Sequence, residues 1–322
     1  MKKILITGGS GFIGSHLTRK CVKEGYKVAI TTKYNSIFEN IRLTDVWKKI
    51  KVIESDLRNS DTIDKINKFN PDIIFHLAAY NDVGGSFSNV QESLTSGLMA
   101  TSNLLEGVKK YEQFIYISTS EIYGFQKKIP FVENMVPQPL SPYSIGKYSG
   151  ELYANMFMKF YKKPVKIIRP FNAYGPWQSM KAVIPETIIK CLIGEDIKTT
   201  KGTQTREFNY VENLVDGFLT CMKSKKTFGE VYNIGSNQEI RIRDVVKLIH
   251  RLTVSKSDLK IGALKSRKTD ISRMKSNYTK FNKTTNWRPN KNLIIGLNLT
   301  INWYKKYIQN IENAKSDFRK LF

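Results

Sequence analysis

The segment Thr7-Gly8-Gly9-Ser10-Gly11-Phe12-Ile13-Gly14 follows directly on the apolar run Ile4-Leu5-Ile6, and it constrains the chain more than any other stretch. Glycines at 8, 11 and 14 leave a β-strand and open a helix, a context that turns a weak glycine pattern into a specific one. One glycine makes a tight turn, one lets backbone approach a pyrophosphate, and one lets the helix lie close against the strand. The N–H groups at the helix N-terminus then face the phosphates. Phe12 and Ile13 belong to the same dinucleotide-binding set, whereas His16, two residues beyond the loop, reads as a helix-surface or packing histidine.

Short β-rich runs recur between helical stretches at 4–7, 28–32, 51–54, 73–76, 114–118 and 165–169. Strands alternating with helices predict an α/β fold, a Rossmann-type doubly wound parallel sheet. Residues 1–175 are expected to form the dinucleotide-binding domain, with 204–236 returning to it, and 176–322 a smaller, interleaved C-terminal substrate lobe. No repeat or Gly/Ser linker separates the two. The runs at 206–211 and 231–235 are expected as late returns to the sheet, and apolar residues at helical spacing over 293–307 predict a surface helix on the second lobe. A chain of 322 residues with 41% hydrophobic content can bury such a core.

The second strand bears on the cofactor. It runs Ile30-Thr31-Thr32-Lys33-Tyr34-Asn35 and brings no carboxylate to the adenosine ribose 2′-hydroxyl of NAD. A hydroxyl at Thr32 and an ammonium at Lys33 suit a 2′-phosphate better, so NADP is favoured over NAD. Asp56 and Leu57, after the third strand, flank the adenine in this reading, although Asp56 equally suits a helix cap.

Ser141-Pro142-Tyr143-Ser144-Ile145-Gly146-Lys147 places a capping serine and an N1 proline ahead of a helix, with Tyr143 and Lys147 one turn apart on one face. A phenol ionises near pH ~10, so proton transfer at neutral pH needs a neighbouring cation. Lys147 and an oxidised nicotinamide would provide it.

The balance of 52 basic to 28 acidic residues gives a net charge of +24. The lysines are scattered, with short doublets such as Lys127-Lys128 and Lys305-Lys306 and no arginine-rich or aromatic-interleaved block. Compositional bias or attraction of an anionic substrate explains this better than nucleic-acid binding. Cys21, Cys191 and Cys221 lack ligand or CxxC spacing, so no metal site is expected and a reduced, cytoplasmic setting fits. Met1-Lys2-Lys3 runs into the first strand without the pattern of a signal peptide, and no apolar run approaches the ~20 residues that cross a bilayer. No membrane partner is expected.

TGGSGFIG, HLAA at 76–79, STSEIYG at 118–124, YSIGK and RPFNAYGP at 169–176 together resemble the extended short-chain dehydrogenase/reductase family of nucleotide-sugar epimerases and dehydratases. The resemblance extends to Arg267-Lys268-Thr269-Asp270-Ile271 and Trp287-Arg288-Pro289 and covers nearly the whole chain. It implies a nucleotide-diphosphate sugar as substrate and a tightly bound, recycled dinucleotide held also by Leu77, Ala78 and Ala79. A homodimer or homotetramer follows from the same likeness. Thr119 matches the hydroxyl that bonds the reacting sugar oxygen beside Tyr143. Ser86, Ser120, Asn172, Arg206 and Arg267 would contact substrate, arginine forks matching diphosphate oxygens.

Glu121 stands where the family's 4,6-dehydratases carry the glutamate that acts as base and acid; 4-epimerases usually have small or hydroxylic residues there. Once C4 of the sugar is a ketone, the C5 proton is acidified, and a carboxylate can remove it while helping water leave from C6. At the preceding position dTDP-glucose dehydratases carry aspartate, whereas GDP-mannose 4,6-dehydratases resemble this chain in having serine. Residues 83–87 also resemble the GDP-mannose enzymes, while 178–185 look more like dehydratases of the legionaminic-acid pathway, so base and sugar stay open. Asn213 and Asn277 replace aspartates usual in related chains. The expected activity is a nucleotide-sugar 4,6-dehydratase. A 4-epimerase or UDP-glucuronate decarboxylase shares the loop, Tyr143 and Lys147; a non-catalytic nucleotide- or RNA-binding protein is the remote alternative.

Overall fold

In the computed structural model, which describes residues 1–33, 40–265 and 271–320, strand and helix alternate from the first residues onward. The order is β1 (Lys3–Thr7), α1 (Phe12–Lys23), β2 (Lys27–Thr32), β3 (Ile50–Glu54), α2 (Ile63–Phe69), β4 (Ile73–His76), α3 (Val90–Gly107), β5 (Gln113–Ile117), α4 (Pro142–Lys159) and β6 (Val165–Pro170). Then come β7 (Ala173–Tyr174), α5 (Val183–Ile193), β8 (Ile197–Thr199), β9 (Thr205–Glu207), β10 (Asn209–Tyr210), α6 (Val211–Lys223) and β11 (Val231–Ile234). The chain ends with β12 (Glu239–Arg241), α7 (Ile242–Thr253), β13 (Leu259–Ile261), α8 (Thr279–Thr285) and α9 (Leu293–Lys320).

Seven parallel strands form the central sheet in the order β11-β6-β5-β4-β1-β2-β3. The order reverses between β1 and β4, and the crevice beyond their carboxyl ends is where such sheets take ligands. Helices cover both faces, so the strands read as continuous apolar runs. Alternate residues serve opposite cores: Ile4 and Ile6 pack with Leu17 of α1 and Phe218 of α6, while Leu5 packs with Ile66 of α2, Leu104 of α3 and Ala154 of α4. The C-terminal lobe has a third core, in which Ile184 and Ile188 of α5 meet Val245 and Ile249 of α7 and Leu297, Ile301 and Tyr304 of α9. The spacing of those last three is the helical repeat expected over 293–307.

One of the two expected late returns joins the sheet and one does not. Val231–Ile234 pairs with β6. Thr205–Glu207 instead pairs antiparallel with β12, and Asn209–Tyr210 pairs with β7. The reason is chemical. Glu207 is fully buried, and its carboxylate accepts from the N–H of Ser236, the N–H and hydroxyl of Ser276 and the Asn209 amide. An apolar sheet buried on both faces offers a carboxylate no such partners.

After β7 the chain turns through Gly175 and Trp177, at φ +151° and +68°. The carbonyl of Pro176 accepts from His16 Nε2 at 2.9 Å, and that of Trp177 from Arg42 Nε at 3.1 Å. The Trp177 indole meets Trp303 and Tyr307 of α9. His16 is thus a packing residue that fastens this joint to α1. Among the described residues, no helix is long and apolar enough to cross a membrane and no His/Cys/Asp/Glu group could hold a metal ion. The three cysteines are buried and free.

Candidate active site

Gly8 adopts the left-handed φ of +66° that the turn after β1 requires. At Gly14 a Cβ would fall 2.2 Å from the Gly8 carbonyl oxygen, so only glycine lets α1 lie this close to the loop. Gly11 caps α1 and no side chain fills the cap. The open first-turn N–H groups and the positive end of the helix therefore suit a pyrophosphate. The motif His76-Leu77-Ala78-Ala79 completes this wall. His76 Nε2 donates to Thr101 Oγ1 at 3.0 Å, because the Thr101 hydroxyl itself donates to the Gly97 carbonyl. Nδ1 then accepts from Thr7 at 2.8 Å, and Thr7 Oγ1 accepts the N–H groups of Leu77 and Ala78. Burial keeps this histidine neutral.

The loop opens into a cleft of about 630 Å³. All the cofactor residues expected from sequence line it: Gly8, Gly11, Phe12, Ile13, Gly14, Thr32, Lys33, Asp56, Leu57, Leu77, Ala78, Ala79, Tyr143 and Lys147. Thr119, Ser120, Glu121 and Asn172 line it too. Two expected substrate residues are turned elsewhere. The buried Ser86 hydroxyl donates to the Val83 carbonyl at 2.7 Å, and Arg206 donates to the carbonyls of Thr205 and Ile271 at 2.8 and 2.6 Å. Arg267 lies outside the described residues.

At the end of the cleft beside β2, Ser10 Oγ donates to Thr32 Oγ1 at 3.4 Å. Lys33 Nζ pairs with Glu92 of α3 at 3.0 Å. Arg58 grips Asp56 through three contacts of 2.5 to 3.1 Å and holds its carboxyl below the usual carboxylate range. Asp56 also accepts the backbone N–H of Arg58, so it lines the cleft and caps its own turn at once. Sequence reasoning missed Ser10, Ser55, Arg58 and Glu92, which share this end. Arg58 could have been found by its spacing from Asp56; nothing links Glu92 to Lys33 across 59 positions.

At the other end, Thr119 caps the turn 120–123, its Oγ1 accepting the Glu121 N–H at 3.2 Å. Ser120 donates to Met274 Sδ at 3.3 Å. A reciprocal capping box, Ser144 N–H to Ser141 Oγ at 3.1 Å and Ser141 N–H to Ser144 Oγ at 3.0 Å, fixes the start of α4 with Pro142 at its first position. Tyr143 and Lys147 follow one turn apart and both reach the cleft. Lys147 is only 4% exposed, with its ammonium 4.7 Å from the Tyr116 ring centre. Burial brings it down to about 7, opposed by the Glu151 carboxylate. Burial pushes the Tyr143 phenol up to about 12; a hydrogen bond to Thr119 acts downward and the Glu121 carboxylate upward. A phenolate and an ammonium in such a site stabilise each other far more than in water. Behind them, the buried Arg169–Glu151 pair ties α4 to β6, and Arg169 also donates to the Tyr123 hydroxyl at 2.8 Å.

Neither asparagine that replaces a familiar aspartate lines the cleft. Asn213 accepts the N–H groups of Asn290 and Lys291 and donates to the Lys291 carbonyl, a donor role closed to a carboxylate. Asn277 accepts the Thr279 N–H at the start of α8.

A parallel sheet whose first strand opens a phosphate-facing glycine turn, with a tyrosine and a lysine one helical turn apart on the same cleft, defines a dinucleotide-dependent enzyme of the short-chain dehydrogenase/reductase type. The family described as GDP-mannose 4,6 dehydratase matches residues 5–298. The chain belongs to that family, within the extended short-chain group of nucleotide-sugar epimerases and dehydratases. It is 32% identical to the dTDP-D-glucose 4,6-dehydratase of Bos taurus, over 98% of this chain and 92% of that protein. The UDP-glucose 4-epimerase of Thermotoga maritima, solved with UDP-glucose, is 28% identical, with a TM-score of 0.88 over 95% of this chain and 99% of that one. The UDP-glucuronic acid 4-epimerase of Bacillus cereus, solved with UDP-glucuronic acid and NAD, is 30% identical, with a TM-score of 0.87 over the same shares.

Proposed function

We propose that the chain is a nucleotide-sugar 4,6-dehydratase that converts a nucleoside-diphosphate hexose to its 4-keto-6-deoxy form, with a nicotinamide dinucleotide in the glycine-loop cleft. The observation that carries this reading is Glu121, a carboxylate in the Thr119-capped turn on the same cleft as Tyr143 and Lys147. The likeness to a dTDP-D-glucose 4,6-dehydratase supports it, and so do solved neighbours that hold NAD and UDP-sugars.

In this reading the Tyr143 oxygen takes the proton of the sugar C4 hydroxyl, the Lys147 ammonium stabilises the phenolate that does so, and Thr119 holds the same sugar oxygen. When bound, the nicotinamide supplies reversible two-electron oxidation and reduction of the sugar carbons. Glu121 takes the C5 proton acidified by the C4 ketone and delivers a proton to the C6 hydroxyl, which departs as water. Asn172, together with Arg206 and Arg267, reads the diphosphate. Arg206 would turn from its carbonyl partners to do so. The absence of a carboxylate at Thr32 supports NADP over NAD. Tighter binding of NAD in a titration would refute that preference.

The deciding experiment incubates the protein with GDP-, UDP- and dTDP-hexoses and reads the products by mass. A dehydratase removes one water without an external redox partner, and Glu121→Gln lowers that turnover by about a hundredfold or more. Full activity in Glu121→Gln would sink the proposal. The likeness to solved UDP-sugar 4-epimerases makes a 4-epimerase the second reading. That activity leaves the mass unchanged; loss of carbon dioxide would mark a decarboxylase.

A further inference from the structure

We infer that Glu92 sets which form of the dinucleotide the cleft prefers, by holding the Lys33 ammonium in an ion pair at the adenosine end. The inference rests on the dinucleotide reading of the cleft and is independent of the sugar chemistry.

Lys33 and Glu92 reach the cleft from different elements. Lys33 follows β2, one residue beyond Thr32, and Glu92 sits in the first turn of α3. Both line the cleft, and they pair at 3.0 Å with about a third of each side chain exposed (35% and 40%). Asp56 and Arg58 form a second pair on the same wall, and Asp56 also feels the Lys33 charge. Among the described residues that line the cleft here, two cations therefore face two carboxylates, beside Ser10, Thr31, Thr32 and Ser55. These four charges offset one another.

A ribose 2′-hydroxyl is uncharged and gains or loses at most a hydrogen bond from this balance. A 2′-phosphate, with about two negative charges, is drawn by the ammonium and repelled by the carboxylate beside it. Glu92 thus penalises the phosphorylated dinucleotide and leaves the other nearly untouched. Asp56 is less able to do the same, because Arg58 holds it through a multi-contact fork whereas Lys33 holds Glu92 as a point charge. The exposure of both groups limits the effect and makes it sensitive to salt.

The test is an equilibrium titration of the full chain with NAD and NADP, without sugar, for the wild type, Glu92→Gln, Lys33→Gln and the double variant. Glu92→Gln should tighten NADP about tenfold relative to NAD, the more so at low salt. In the Lys33→Gln background the same change should move the ratio by less, because only the direct repulsion is then relieved and no ammonium is set free. An unchanged ratio in Glu92→Gln, or an equal gain with and without Lys33, overturns the inference. Failure of the wild type to bind either dinucleotide would overturn the dinucleotide reading as well. A wild type that binds NAD more tightly, yet shifts as described, corrects only the cofactor preference and supports the role of Glu92.

Discussion

The two ends of the cleft solve opposite problems with the same kinds of side chain. At the Tyr143 end Lys147 is buried, Tyr143 is held against Thr119, and an interior Arg169–Glu151 pair braces the helix that carries them. At the adenosine end the ions are partly exposed and paired two by two. A buried charge without its partners costs several kcal/mol, while an exposed pair is worth about 1 kcal/mol or less. Substitutions at the first end should therefore abolish function or shift stability, and those at the second should retune selectivity.

The strongest way to break this contrast is Tyr143→Phe. It keeps the ring and removes the proton acceptor, so turnover of any accepted nucleotide-hexose should fall by about a thousandfold. Dinucleotide affinity, measured by titration, should stay within about threefold, since only one hydroxyl is lost. A variant that retained most of its turnover would place the chemistry elsewhere.

Lys147→Met tests whether burial of that ammonium is a strain on the fold. Its pKa of about 7 lies below the ordinary 10.5, so between those values the unfolded chain binds a proton that the folded chain has released. Stability from this group therefore rises with pH across that window and is least below it. The methionine variant should melt higher than the wild type, by up to a few kcal/mol near about pH 6, with the advantage shrinking toward about pH 10. Melting curves at both pH values check the sign, and an advantage that grew with pH would contradict it.

Thr32→Asp sharpens the other side of the comparison. A carboxylate at the end of β2 accepts from a ribose 2′-hydroxyl and repels a 2′-phosphate, so the NADP-to-NAD affinity ratio should fall by about tenfold or more. Catalysis with saturating dinucleotide should change little. An unmoved ratio would mean that the adenosine ribose lies away from β2.

Much of this was legible before the fold was known, for identifiable reasons. The glycine loop and the Tyr143/Lys147 pair are short, contiguous patterns whose residue types are dictated by what they bind. Strands buried on both faces announce themselves as apolar runs, as Ile4-Leu5-Ile6 does. Strands of two and three residues, such as Asn209–Tyr210 and Thr205–Glu207, are too brief for a period to register. Glu92 was invisible because its partner is 59 residues away and an isolated acidic residue early in a helix usually means only a favourable dipole contact. Ser86 and Arg206 show a further limit: likeness supplies a residue type at a position, while the neighbouring carbonyls of Val83, Thr205 and Ile271 decide where the side chain points.

The joint at 175–177 has a consequence for how such a scaffold diversifies. Its carbonyls are fastened by His16, one turn into the helix that begins at the phosphate-facing loop, and by Arg42. The segment that follows is thereby referenced to the helix that opens at the glycine loop, as a lens mount is referenced to the detector plane. On the proposed reading, exchanges farther along the chain would alter the fit to hexose or base while this joint keeps its anchorage to α1.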